Sequence, residues 1–136
     1  MLDGIQDPGN LGTIIRIADW FGISQIICSH DTVELYNPKV VQSTMGSFIR
    51  TQVWYSDLAT ILSTVPVPIF GALLQGKPVY DVAKPTEGIL VIGSEGSGIS
   101  QAVLPLITNP ITIPKIGGAE SLNAAVATGI IVSHLV

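Results

Sequence analysis

Charged side chains are scarce in this chain: Asp, Glu, Lys and Arg together make up 12% of its 136 residues. Soluble domains usually carry about 25%, so part of the surface is expected to be covered by another subunit or a further domain. Six Lys and Arg stand against ten Asp and Glu, for a formal net charge of -4. Strong nonspecific binding to nucleic acid needs clustered Lys and Arg residues, and the sequence contains no such cluster.

Other absences exclude whole classes of protein. The single cysteine, Cys28, excludes an internal disulfide and fits a reducing compartment. The two histidines stand alone without metal-ligand spacing, so we expect no metal site. No apolar run reaches the roughly 18 residues of a membrane span, and the opening MLDGIQDPGN lacks the features of a secretory signal. We therefore expect a cytoplasmic protein that does not cross a membrane.

What the sequence does have is an alternation of short apolar runs and helix-like stretches. Predicted strands are Leu2–Ile5, Gln25–Ser29, Thr51–Trp54, Val67–Leu73, Gly88–Ile92 and Pro110–Ile113. Predicted helices are Leu11–Phe21, Pro38–Thr44, Asp57–Thr64, Gln101–Leu106 and Leu122–Leu135. Continuous buried runs separated by helices indicate a parallel sheet covered on both faces. The prediction is one α/β domain over residues 1–136.

The first helix can be placed more closely. Leu11, Ile14, Ile15 and Ala18 form an apolar stripe at helical spacing, and Asn10 is predicted to be the N-cap. Arg16 falls outside that stripe. Because helical side chains lean toward the N-terminus, we expect Arg16 to reach back toward the loop QDPGN.

Two glycine-rich stretches imitate nucleotide-binding motifs. GALLQGKP (residues 71–78) has the spacing of a P-loop, but Pro78 replaces the hydroxyl residue that holds magnesium. We therefore interpret this stretch as a strand followed by a glycine turn, and not as the P-loop of a nucleotide triphosphatase. GSEGSG (residues 93–98) is not the dinucleotide fingerprint, and can be an ordinary strand-to-helix turn. It nevertheless follows a buried strand, which is where open α/β sheets bind ligands.

A third polar loop, IPKIGGAESLNAAVATG (residues 113–129), also follows a predicted strand. Ser121 could be only a helix N-cap there, and Gly117–Gly118 only a turn. Three glycine-rich or polar loops, each at the end of a buried strand, are harder to dismiss together. They favour a binding site at one edge of the sheet.

DPGNLGTIIRIADWFG, ILVIGSEGSGIS and IPKIGGAESLNAAVATG, in this order, resemble the three motifs of the SpoU (TrmH-like) branch of the SPOUT RNA methyltransferases. The resemblance runs over essentially the whole chain. It implies an α/β knot, a deep C-terminal trefoil in which the last segment is tucked through a loop. It also implies a homodimer that binds S-adenosylmethionine and methylates the ribose 2′-hydroxyl of transfer or ribosomal RNA.

Site residues follow from the resemblance by position. It implies a catalytic set of Asn10, Arg16, Glu95, Ser121 and Asn123. It implies cofactor contacts at Leu73, Leu74, Gly76, Ile92, Gly93, Ser94, Gly96, Ile113, Lys115, Ser121 and Leu122. Lys115 departs from the family pattern, where an apolar residue is usual. We expect Arg16 to act as a cation, since its ordinary pKa of about 12.5–13.8 leaves little neutral guanidine. The proton acceptor stays open between a substrate phosphate and water.

Two other functions stay in view. One is a noncatalytic, dimeric RNA-binding or assembly protein that keeps the fold, and the other is an unrelated α/β small-ligand protein. An assay for methyl transfer distinguishes the noncatalytic protein from a methyltransferase. An assay for S-adenosylmethionine binding distinguishes the unrelated small-ligand protein from both. Family members often carry an RNA-binding domain ahead of motif one, which begins at the start of this chain. We therefore expect a catalytic domain without that extension, either a minimal enzyme or a fragment.

Overall fold

Six strands and four helices make up the computed structural model, which describes residues 1–136. The strands are β1 (Leu2–Asp3), β2 (Gln25–Cys28), β3 (Gln52–Tyr55), β4 (Ile69–Pro78), β5 (Ile89–Gly93) and β6 (Asn109–Thr112). The helices are α1 (Pro8–Trp20), α2 (Pro38–Ser43), α3 (Leu58–Leu62) and α4 (Ala124–Leu135). Short 3₁₀ turns cover Ser47–Ile49, Val79–Asp81 and Leu104–Leu106.

The strands form one sheet in the order β3-β2-β1-β5-β4-β6, and every neighbouring pair is parallel. Chain order reverses between β1 and β5, the first three strands lying to one side and the last three to the other. Open α/β sheets bind ligands outside the carboxyl ends of strands at such a reversal. The topology therefore directs attention to the loops that follow β1 and β5.

Both faces of the sheet are buried. Leu90 and Ile92 of β5 pack in the cluster that contains the apolar stripe of α1 and four buried residues of α4. Ile89 and Val91, the alternate residues, pack in a second cluster with Leu58 of α3. Alternate side chains of a strand point to opposite faces, so continuous apolar runs are needed. The predicted parallel sheet with helices on both faces is confirmed.

The predicted apolar stripe of α1 is also confirmed, since Leu11, Ile14, Ile15 and Ala18 are all buried. The predicted N-cap is wrong. Asp7 caps the helix by accepting a hydrogen bond from the Asn10 backbone N–H, and Pro8 takes the first helical position. Asn10 therefore lies inside the first turn, where its side chain is released from capping.

Three further predictions need correction. Residues 101–106 do not form an α-helix; a turn leads into the 3₁₀ segment Leu104–Leu106, because Pro105 lacks the N–H that a helix interior needs. Strand β4 runs past its predicted end at Leu73 to Pro78. The first strand, predicted to reach Ile5, ends at Asp3, since Gly4 turns the chain with φ 71°.

Candidate active site

A cavity of about 870 Å³ lies at the carboxyl ends of β4, β5 and β6. Three stretches of chain line it, residues 72–75, 92–99 and 111–122, together with residues of α4. Its volume is in the range of small-molecule sites, about 300–1,000 Å³. All but one of the residues expected to contact a cofactor surround it: Leu73, Leu74, Ile92, Gly93, Ser94, Gly96, Ile113, Lys115, Ser121 and Leu122.

The exception is Gly76, and the path of β4 explains it. Ile111 of β6 is paired with both Ala72 and Lys77, so the residues between them leave the ladder as a wide bulge. A Cβ on Gly76 would lie 2.7 Å from the Pro110 carbonyl carbon and oxygen. Glycine is needed there to let β4 return to β6, while the bulge turns Leu73 and Leu74 toward the cavity. The P-loop imitation is thus part of a strand, with no phosphate-binding helix after it.

The second wall is a tight loop after β5. Ser94 and Gly98 exchange two backbone hydrogen bonds, of 3.1 and 2.9 Å. A Cβ on Gly93 would lie 2.2 Å from the Gly98 carbonyl carbon, so only glycine fits beneath the loop. The far end of the loop is tied to β1, because Asp3 accepts a 2.7 Å hydrogen bond from the Ser100 N–H. Sequence reasoning missed this hydrogen bond, because it joins residues 97 positions apart and no local pattern predicts it. The closed loop carries Glu95 at its tip.

Glu95 joins the three sequence motifs into one polar cluster. Its Oε1 accepts hydrogen bonds from Asn10 Nδ2 at 3.0 Å, Asn123 Nδ2 at 2.9 Å and the Ala124 N–H at 3.1 Å. Asn123 Nδ2 also donates to Asn10 Oδ1 at 2.8 Å. Three of the five residues expected to be catalytic therefore lie in mutual contact, and one of them, Glu95, lines the cavity.

Asn123 has a second task, as the N-cap of α4. Its Oδ1 accepts from the N–H groups of Ala125 and Val126 at 3.0 and 3.2 Å. The alternative considered for Ser121, a helix N-cap, is therefore wrong. Ser121 is exposed and lines the cavity instead.

Arg16 stands apart from the cluster. It follows Asn10 by about one and two-thirds helical turns, so the two side chains leave α1 roughly 120° apart. Arg16 is exposed and takes no part in the one ion pair of the chain, which joins Arg50 to Asp19. Arg16 makes no hydrogen bond to residues 6–10, and its expected reach toward them stays a prediction.

The cavity carries more negative than positive charge. Glu95 and Glu120 line it against Lys115 alone. No group of His, Cys, Asp or Glu has a metal-binding arrangement. Cys28 is fully buried, and burial raises the pKa of its thiol to about 12, which leaves it inert as a nucleophile. No helix of the structure combines the length and apolar character needed to span a bilayer.

A ligand-sized cavity at the carboxyl edge of a parallel sheet, rimmed by a fixed polar cluster, is the arrangement of an α/β enzyme site. Residues 1–133 match the model of the SpoU rRNA Methylase family. The 23S rRNA (guanosine(2553)-2'-O)-methyltransferase RlmP of Bacillus subtilis (strain 168) is 35% identical over 139 residues, covering 99% of this chain and 56% of the relative.

Two solved structures share the fold closely. The SpoU methyltransferase AviRb from Streptomyces viridochromogenes, in complex with the cofactor AdoMet, has a TM-score of 0.89 at 30% identity and covers 98% of this chain. The AdoMet-bound rRNA methyltransferase from Sinorhizobium meliloti has a TM-score of 0.91 at 31% identity, also over 98%. This chain belongs to the SpoU rRNA methylase family, as the three motifs indicated. It spans 57% and 53% of those two chains, little more than half of each.

Proposed function

We propose that this chain transfers a methyl group from S-adenosylmethionine to a ribose 2′-hydroxyl of ribosomal or transfer RNA. The observation that carries the proposal is the Asn10–Glu95–Asn123 cluster at the rim of the 870 Å³ cavity. The names of the relatives support the same chemistry, since RlmP is a 23S rRNA 2′-O-methyltransferase. We propose that it works in the cytoplasm, because ribosomal and transfer RNA are its proposed substrates.

The cavity fits S-adenosylmethionine in shape and in charge. No protein atom lies within 4 Å of where a Cβ on Gly96 or Gly117 would stand, so neither glycine is required by the packing of the chain itself. Bare backbone at these positions can approach a ligand closely. Apolar residues such as Ile92 and Leu122 suit an adenosine, and the carboxylate of Glu120 suits a sulfonium cation.

When bound, the cofactor supplies an electrophilic methyl carbon on a sulfonium leaving group. The chain's own task is to hold the RNA hydroxyl within about 3–3.5 Å of that carbon and to handle its charge and proton. Glu95 and Ser121 would hold the hydroxyl at the cavity, and Asn10 and Asn123 would position Glu95. Arg16 would act as a cation on the ribose oxygen or an adjacent phosphate, because preorganised cations stabilise developing negative charge.

A homodimer fits the position of Arg16 and the surface of α4. Arg16 is exposed and directed away from Glu95 in its own chain, so we propose that it serves the site of a second copy or a phosphate held between copies. After Thr128, only Ser133 and His134 are polar in α4, and Val126 is 52% exposed. An apolar helix face of this kind is expected to be covered.

The path of the last segment supports a knot. Residues 113–123 run from β6, at one edge of the sheet, back over the ends of β4 and β5 to α4, which packs against α1. We propose that this return passes through the loop after β4, giving the deep trefoil of the family. Knots are rare, and a ligand held between the crossing segments would explain why this one is kept.

Methyl transfer is tested by incubating the chain with S-adenosylmethionine and unmodified ribosomal and transfer RNA transcripts. The expected product is a 2′-O-methyl nucleotide, mapped by mass spectrometry after digestion. Cofactor binding by calorimetry without any methylated nucleotide would support the noncatalytic RNA-binding protein instead. The absence of cofactor binding would contradict both.

A further inference from the structure

The two oxygens of the Glu95 carboxylate have different surroundings. Oε1 accepts three hydrogen bonds, from Asn10 Nδ2, Asn123 Nδ2 and the Ala124 N–H. Oε2 accepts none from the protein, although Glu95 is exposed and lines the cavity. A carboxylate oxygen can accept two hydrogen bonds or more, so one side of Glu95 is fixed while the other is available.

The amide groups beside Glu95 are occupied with one another. Asn123 uses Oδ1 to cap α4, and donates from Nδ2 to both Asn10 and Glu95. Asn10 accepts through Oδ1 and donates through Nδ2 within the same cluster, and is only 8% exposed. Within the cluster, the free acceptor is therefore Glu95 Oε2. Asn10 and Asn123 are positioning residues that act through Glu95.

The surroundings of Oε1 hold the carboxylate in a fixed orientation. Its three N–H donors come from Asn10, Asn123 and the backbone of Ala124, the first residue of α4. Oε2 is therefore offered to the cavity as an acceptor. An acceptor of this kind orients a hydroxyl group, whereas an amide NH₂ in its place would repel the hydroxyl hydrogen.

We propose that Glu95 Oε2 accepts the hydrogen bond of the ribose 2′-hydroxyl and takes its proton during methyl transfer. The inference rests on the proposed function. A bond forms between the ribose oxygen and the methyl carbon while the carbon–sulfur bond breaks, and the bonding pair leaves with sulfur as a neutral thioether. The hydroxyl proton passes to Oε2 and then to water.

A fixed, weakly basic carboxylate is sufficient for this task. The hydroxyl hydrogen becomes more acidic as its oxygen forms the new bond to carbon, so proton transfer in concert with that bond needs no strong base. The step also joins a positive sulfonium and a negative carboxylate into neutral products. In a site with few other charges, that cancellation is favourable.

The test compares Glu95→Gln with Glu95→Ala in the full chain. A glutamine oxygen can accept all three N–H donors, so Glu95→Gln keeps the cluster and changes only the free side. We expect kcat to fall about 100-fold or more, with cofactor affinity by calorimetry and RNA affinity within about threefold of wild type. Glu95→Ala should lower the melting temperature and cofactor affinity as well. Glu87 is an exposed acid just before the amino end of β5, whereas Glu95 follows its carboxyl end. Glu87→Gln is therefore the matched control, and it should change neither kcat, nor the two affinities, nor the melting temperature.

The outcomes separate this inference from the function on which it rests. If wild type methylates RNA and Glu95→Gln stays within threefold of its rate, Glu95 only holds the cluster and the proton goes elsewhere. If Glu95→Gln loses melting temperature and cofactor affinity as Glu95→Ala does, its role is structural. If the wild-type chain makes no 2′-O-methyl nucleotide, the proposed function and the inference both fall.

Discussion

Replacing Gly12 by alanine should destabilise the fold, although alanine is the better helix former. A Cβ on Gly12 would lie 2.4 Å from the Ser43 Cβ and 2.7 Å from the Val40 carbonyl oxygen. An ordinary contact begins at 3.4 Å, so α1 and α2 would have to separate by about 1 Å. The same shift would displace Asn10, which lies on the preceding half-turn of α1.

The two opposing effects can be weighed. Alanine gains about 1 kcal/mol over glycine in a helix interior, whereas overpacking against a backbone that cannot move freely costs about 1–3 kcal/mol. We expect a net loss of about 1 kcal/mol, which lowers the melting temperature by about 3–5 °C in a domain of this size. Adding Ser43→Gly should restore part of the loss, because the Val40 carbonyl contact remains.

Gly129 provides the matched control, because it is a helical glycine of α4 with room around it. The nearest atom to its Cβ position is Ile17 Cδ1 at 3.6 Å, so Gly129→Ala should gain up to about 1 kcal/mol. Urea unfolding followed by circular dichroism measures both variants. The packing argument fails if Gly12→Ala is as stable as Gly129→Ala.

Three further predictions follow. Arg16→Ala should lower the methylation rate by about two to three decades and leave calorimetric cofactor affinity within a few-fold. Arg16→Lys should rescue poorly, because it lacks the planar fork, and lost cofactor binding with full turnover would contradict this role. Cys28 should resist thiol reagents until the chain unfolds, because burial raises its pKa to about 12; labelling of the native chain would show that this core opens. With six Lys and Arg per chain, RNA binding should be weak with a shallow salt slope, and tight binding with a steep slope would show that a dimer gathers these cations in one patch.

The sequence predicts secondary structure well where one residue pattern decides it. Buried runs such as GILVIG read as strands because both faces of the sheet are covered. Asn10 was misplaced because its residue type suits a cap, while the pair Asp7–Pro8 is the stronger start signal. The extension of β4 to Pro78 could not be read locally, since its bulge depends on pairing with Ile111 of β6.

The candidate site divides in the same way. The family motifs identify Asn10, Glu95 and Asn123 by their positions, but they do not predict which of these side chains form hydrogen bonds with one another. Those contacts join residues 85 and 113 positions apart, and no periodicity reaches so far. The exposed direction of Arg16 likewise depends on where α1 packs, which the sequence alone does not fix.

The sequence separation between Asn10 and Asn123 also has a consequence for folding during synthesis. Contacts between distant parts of a chain form late and slow folding, since long loops must close first. On the ribosome, the segment with Asn10 is synthesised before β4, β5 and β6, and it has no partner in the cluster during that time. Its partner Asn123, the N-cap of α4, follows 113 residues later, at a synthesis rate of about 5–20 residues per second. A nascent chain that stalls before Asn123 would hold the six strands of the sheet and yet no assembled cluster, so an incomplete copy would lack the proposed site.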